Sequence, residues 1–211
     1  MNKIKLFDPF IDKQEEAAVL RVLKSHFWAS GSGIGNVKKF ENSFKKYIKC
    51  DECVAVNSGS AALHLALSLF DLKGKEVILP SLTFVSTAHA VIQNGGKPIF
   101  VEVDENTLCI DPEKIKEKIN EKTQVILPVH YAGMSSNLTE IGKICKKNNI
   151  DLVEDAAHAV GTKYDGRKIG TAGKAVCFSF HPVKNLAMPT GGLISINDNN
   201  YKGISKKLQS K

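Results

Sequence analysis

Lys184 stands just past the apolar, aromatic run "FSFHPV", where Pro182 turns the chain, and Asp155 ends the apolar run "DLVED". Most lysines of this chain sit on polar helix faces, so Lys184 is either a surface lysine that happens to follow a strand or a reactive amine held in a cleft. A carboxylate at a strand tip is shielded from water and needs a cationic or hydrogen-bonding partner. One electron-sink cofactor asks for this pair. Pyridoxal phosphate bonds covalently to a lysine amine and keeps its ring nitrogen protonated against an acidic residue. Further upstream, "NSGSAALHLAL" puts Ser58, Gly59, Ser60 and Ala61 between a strand and a helix. Backbone N–H groups at such a helix start can hold a phosphate, although serine and glycine there also cap ordinary helices.

The elements that must carry these residues alternate. Short apolar runs, "CVAVN", "EVILP", "KPIFVEV", "QVILPVH", "DLVED", "KAVCFSF" and "GGLISIN", read as strands. Helical faces lie among them, with Leu63, Ala66, Leu67 and Phe70 on one and Leu138, Ile141 and Cys145 on another. Such alternation predicts an α/β three-layer sandwich around a mostly parallel sheet of about seven strands. The last two runs are joined by a loop instead of a helix, so the final strand is expected to enter differently. Two N-terminal helices precede the sheet, one bearing Val19, Leu20, Leu23 and Phe27, the other Val37, Phe40, Phe44 and Ile48. The loop "WASGSGIGN" between them is no dinucleotide fingerprint, because a helix precedes it where a strand is required. The expected division is a helical segment over residues 1–50 and a cofactor-binding large domain over residues 51–211. In an open α/β sheet, ligands collect at the carboxyl ends of the strands. Here those ends read "NSGSAA", "PSLTF", "VHYAG", "EDAAHA" and "SFHPVKN".

Composition narrows the partners. The 211 residues carry a net charge of +7, but lysine is interleaved with glutamate and aspartate, as in "DPEKIKEKINEKT". That mixing describes a solvated face and argues against a nucleic-acid footprint, while the mild positive field suits a phosphorylated small molecule. No run of about 18 apolar residues suggests a membrane span, and no secretory signal is apparent, so a cytoplasmic location is expected. Five cysteines, Cys50, Cys53, Cys109, Cys145 and Cys177, read as free thiols. Cys50 and Cys53 form a C-x-x-C pair, but no second pair or nearby histidine completes a zinc site, and no metal is expected.

Taken in order, "FENSFKKYIKCDECVAVNSGSAALHLAL", "VILPSLTFVSTAHAV", "GGKPIFVEVD", "LPVHYAG", "DLVEDAAHAVGTKYDGRKIGTAG" and "CFSFHPVKN…GGLISIN" resemble the DegT/DnrJ/StrS family. These are nucleotide-sugar aminotransferases of the fold-type I pyridoxal-phosphate class, and the likeness covers nearly the whole chain. The resemblance implies that Lys184 is the Schiff-base lysine and Asp155 the partner of the pyridine nitrogen. By the same resemblance Phe84 stacks on the cofactor ring, and Gly59, Ser60 and Ala61 cradle the phosphate with Ser179 as a second donor. His158, often glutamine in the family, approaches the phenolic oxygen. His130, His181 and Trp28 are left between core and substrate-lining roles. The implied reaction moves an amino group from an amino acid, by analogy L-glutamate, to a nucleotide-linked keto-sugar, in a homodimer when the protein is full-length. Two departures stand out. "KNLAMPTGG" has Pro189 and Thr190 where many members read Gly-Glu, and the chain stops at "YKGISKKLQSK", where members continue into a smaller C-terminal domain. A second reading is therefore a fragment that binds cofactor or needs a partner chain. A third keeps the fold but makes it a pyridoxal-phosphate lyase or desulfurase; the desulfurase would require a mobile cysteine, and no cysteine lies in an obvious glycine-rich loop.

Overall fold

The computed structural model describes Lys5, residues 7–28 and residues 35–198. Most of the glycine-rich loop expected after Trp28, and the chain end beyond Asp198, lie outside the described residues. All seven apolar runs form strands, and all seven join one sheet. They are β1 (Glu52–Val56), β2 (Glu76–Pro80), β3 (Lys97–Val101), β4 (Thr123–Ile126), β5 (Asp151–Asp155), β8 (Ala175–Ser179) and β9 (Gly192–Ile196), in the spatial order β1-β9-β8-β5-β4-β2-β3. The pairs β2–β3, β2–β4, β4–β5 and β5–β8 are parallel. β9 runs antiparallel to both β8 and β1, as its loop connection requires. Because β9 reverses between them, β1 points the same way as the parallel strands. The carboxyl ends of β1, β2, β4, β5 and β8 therefore meet at one edge.

Parallel strands covered on both faces should be apolar throughout, and β2, β8 and β9 are buried at every position. One face packs against α2 (Gly35–Ile48), α5 (Pro112–Lys118) and α6 (Leu138–Asn148), through Phe44, Ile48, Ile115, Ile141 and Ile144. The other face packs against α3 (Gly59–Leu67) and α4 (Val85–Gln93), through Ala62, Leu63, Ala66, Leu67 and Val91. The expected α3 face ends at Leu67, and Phe70 packs half-buried just beyond it. As an edge strand, β1 would expose unpaired amides. The buried carboxylate of Glu41 on α2 covers it, with Oε1 accepting from the Ala55 N–H at 3.0 Å.

The first N-terminal helix, α1 (Lys13–Ser25), is set by a capping box in which Asp12 and Glu15 satisfy each other's backbone. It buries no side chain. Its apolar face, with Val19 60 % and Leu23 52 % exposed, is turned outward. One small element was not anticipated. "KYDGRK" folds back as a hairpin, β6 (Lys163–Tyr164) and β7 (Arg167–Lys168), because Asp165 and Gly166 take the positive φ of a tight turn (47° and 76°). No described helix is long and apolar enough to cross a membrane. All five cysteines are buried and free.

Candidate active site

Asp155 closes β5 and is 4 % exposed. Its Oδ2 accepts from the Thr87 hydroxyl at 2.9 Å and its Oδ1 from the Ala157 N–H at 3.1 Å. Thr87 is itself held by Thr83, the two hydroxyl oxygens standing 2.7 Å apart. The shielded carboxylate thus has the partners its burial demands, supplied by α4 and by the turn after β5.

Lys184 sits in the loop that joins β8 to β9. Its N–H donates to the His181 carbonyl at 2.8 Å across the turn at Pro182. Asn185 donates to the Val160 carbonyl at 2.6 Å, and the Met188 N–H to the Phe180 carbonyl at 2.8 Å. Burial pushes the Lys184 amine below the ordinary lysine pKa, partly opposed by the attraction of Asp155. Both residues line the same cavity, of about 400 Å³. Among the described residues no direct ion pair joins them, which leaves room between the amine and the carboxylate. A half-buried amine whose charged form is disfavoured is a better nucleophile toward a carbonyl carbon.

At the opposite wall the turn from β1 into α3 approaches β8. Gly59 is required there, because a Cβ on it would stand 2.7 Å from Ser179 Cβ. Gly192 is pressed still more closely against the Ser58 carbonyl. The helix start leaves amides unpaired, but the Ser58 hydroxyl caps α3 by accepting from the Ala61 N–H at 3.1 Å. The donors facing the cavity are therefore those of Gly59 and Ser60, with Ser179 beside them. The Ala61 amide, expected in the phosphate cradle, is taken by the cap.

Phe84 precedes α4, is 72 % exposed and lines the cavity, so it is no core aromatic. His158 also lines it. His158 Nδ1 accepts from the Ala132 N–H at 3.2 Å, and its ring meets Tyr131 edge-on at 5.9 Å. Burial, then the Lys184 charge, holds its pKa below the usual value, against the pull of Asp155. With Nδ1 accepting, the neutral ring carries its proton on Nε2 and can donate from there.

The three residues left open separate cleanly. His181 lines the cavity. His130 is fully buried, with Nε2 2.8 Å from the Glu154 carboxylate and Nδ1 accepting from the Ser136 N–H. Trp28 is exposed and donates to the Leu23 carbonyl of α1. Thr87, which no motif marks, holds Asp155, and Thr190, noted in the sequence only as a departure, lines the cavity while donating to the Asn57 carbonyl at 2.7 Å, tying the β8–β9 loop to the strand end before the helix. Thr190 carried a signal, the unusual "PTGG"; Thr87 carried none.

These stations suit pyridoxal phosphate: two helix-start amides and Ser179 for a phosphate, Asp155 for a ring nitrogen, and Lys184 for an aldehyde. The volume is within the ordinary range for small-molecule sites, roughly 300–1,000 Å³.

A family model described as the DegT/DnrJ/EryC1/StrS aminotransferase family matches residues 9–211. The chain is 40 % identical over 191 residues to the spore coat polysaccharide biosynthesis protein SpsC of Bacillus subtilis, covering 90 % of this chain and 48 % of that protein. Among solved structures it is similar to the PLP-form of a putative sugar aminotransferase, Spr1654, from Streptococcus pneumoniae. The TM-score is 0.92 at 27 % identity, over 99 % of this chain and 57 % of that one. It is also similar to Helicobacter pylori PseC, an aminotransferase involved in the biosynthesis of pseudoaminic acid, with TM-score 0.87 and 28 % identity, over 99 % of this chain and 55 % of that one. The chain spans about half the length of the curated relatives it matches.

Proposed function

This chain belongs to the DegT/DnrJ/EryC1/StrS aminotransferase family, and from that premise we propose that it carries the cofactor site of a pyridoxal-phosphate-dependent aminotransferase. The donor is an amino acid, L-glutamate by analogy, and the acceptor a nucleotide-linked keto-sugar destined for a polysaccharide. The observation that carries this reading is the meeting of Lys184, Asp155, Phe84, His158 and the Gly59–Ser60 helix start around one cavity.

Bound there, pyridoxal phosphate would supply an aldehyde that takes amines covalently and a cationic ring that accepts the electron pair released at a neighbouring carbon. Lys184 Nζ would be the covalent anchor, and as a free amine it would take the proton from the donor's α-carbon and carry it as general acid–base. Asp155, fixed by Thr87 and Ala157, would keep a proton on the ring nitrogen. His158 would donate from Nε2, and the Gly59 and Ser60 amides with Ser179 would hold the phosphate end. Residues 51–211 form the cofactor-binding unit and residues 1–50 the helical segment before it. The outward apolar face of α1 supports a homodimer, and the lack of a long apolar helix among the described residues is compatible with a cytoplasmic enzyme.

The test is a single-turnover half-reaction. The purified chain, loaded with pyridoxal phosphate and given L-glutamate, is expected to yield 2-oxoglutarate in proportion to protein. Replacing Lys184 by Ala should slow this by about a hundredfold or more, the usual worth of a positioned acid–base. An equal rate from the variant would overturn the assignment.

A further inference from the structure

Cys50 and Cys53 take no part in the cavity. Cys50 follows the end of α2, after Lys49 has turned through a left-handed conformation (φ 64°), and Cys53 lies in β1. Their Sγ atoms stand 3.2 Å apart. A disulfide needs about 2.0 Å, so closing one asks for a movement of only about 1.2 Å. The sequence offered only the spacing of the two residues; the structure adds their proximity and their unequal surroundings.

The pair is polarised. The contact with Cys53 favours the thiolate at Cys50 over the opposition of burial, helped by the Cys50 backbone amide and the Lys45 ammonium and opposed by Asp51, while the Cys50 thiol donates to the Glu52 carbonyl at 3.3 Å. The same contact between the two sulfurs, with burial, holds the Cys53 proton tightly. Cys50 is 7 % exposed, between exposed Lys49 and Asp51, so a reagent reaches its sulfur only when this short segment shifts. Burial pushes Cys145 up to about 12 and Cys177 well above its usual value, and no second cysteine sulfur stands within reach of Cys109, Cys145 or Cys177 among the described residues.

We propose that Cys50 and Cys53 form a reversible intrachain disulfide by exchange with a small-molecule disulfide, Cys50 attacking and Cys53 resolving. The Cys50 thiolate bonds to one sulfur of the reagent; its S–S bond breaks, and the departing thiolate takes up a proton. Cys53 then gives up its proton and attacks Cys50 Sγ, the mixed disulfide breaks, and a second small thiol leaves. Two protein thiols are oxidised and one disulfide is reduced to two thiols. With two residues inside the loop, closure removes little entropy from the unfolded chain. The bond is thus a toggle that a reducing thiol pool reopens, and it contributes little as a staple.

The experiment uses the native full chain in buffers of oxidised and reduced glutathione, followed by alkylation and mass analysis. Expected are the loss of two of the five thiols, a mass lower by two hydrogens, a cross-link within the peptide holding residues 50–53, and full recovery with dithiothreitol. Cys53→Ser should accumulate one glutathione on Cys50, while Cys50→Ser stays unmodified over the same interval. Five alkylatable thiols retained by the wild-type protein would overturn the proposal, with no variant needed. So would oxidation seen only after unfolding, or Cys53 reacting as fast in Cys50→Ser as in the wild type.

Discussion

Lys184 is held where its charge is unwelcome, and that costs stability. Burial lowers its pKa from the ordinary 10.5. Between the folded and the unfolded value the unfolded chain binds more protons, so stability rises with pH across that window. The penalty is complete below the folded pKa and relieved as pH climbs toward 10.5. Lys184→Met removes the charge at similar length. The cofactor-free variant is therefore expected to melt above the wild type at neutral pH, with the gap narrowing as pH approaches the ordinary lysine value. Thermal unfolding at several pH values measures it. A variant that melts lower at neutral pH would mean that attraction to Asp155 outweighs desolvation. The strain fits a functional amine, since sites are commonly kept at the expense of stability.

Between elements, the contact that matters is α3 on β8. Gly59→Ala would set a Cβ 2.7 Å from Ser179 Cβ, and overpacking of that kind costs about 1–3 kcal/mol. The variant is expected to melt lower and to bind pyridoxal phosphate more weakly. Ser179→Gly in the same chain removes the opposing Cβ and should restore most of the stability, while still lacking the hydroxyl. No rescue of stability by the double change would show that the clash is relieved elsewhere. Much of this level was legible in the sequence. The seven strands announced themselves because buried parallel strands are apolar runs, and the helix start was marked by serine and glycine. Two things were hidden. The cap takes the Ala61 amide, which depends on a rotamer of Ser58 that no spacing reveals. Thr87 reaches Asp155 across 68 positions of chain, and a threonine on a helix face has no pattern to distinguish it. The β6–β7 hairpin was readable in Asp165-Gly166, a turn pair that a search for chemistry passed over.

Over the whole molecule, α1 is the anomaly. An amphipathic helix normally turns its apolar stripe to the core. Here Val19, Leu20 and Leu23 are each more than half exposed. Apolar side chains left exposed on one helix face suit an interaction site, and a second copy is the occupant expected under the proposed homodimer. Sedimentation of the wild-type chain should report a dimer, and Leu20→Glu with Leu23→Glu should shift it to monomer without changing its helix content. Identical sedimentation of the two proteins would remove α1 from the interface. The central claim concerns one atom, Lys184 Nζ, and one measurement reaches it most directly. The chain is loaded with pyridoxal phosphate, reduced with borohydride, digested and mapped by mass spectrometry. The account predicts a pyridoxyl group on the peptide carrying Lys184 and no comparable label on other lysines; a label concentrated on a different lysine, or none at all from a loaded protein, would contradict it.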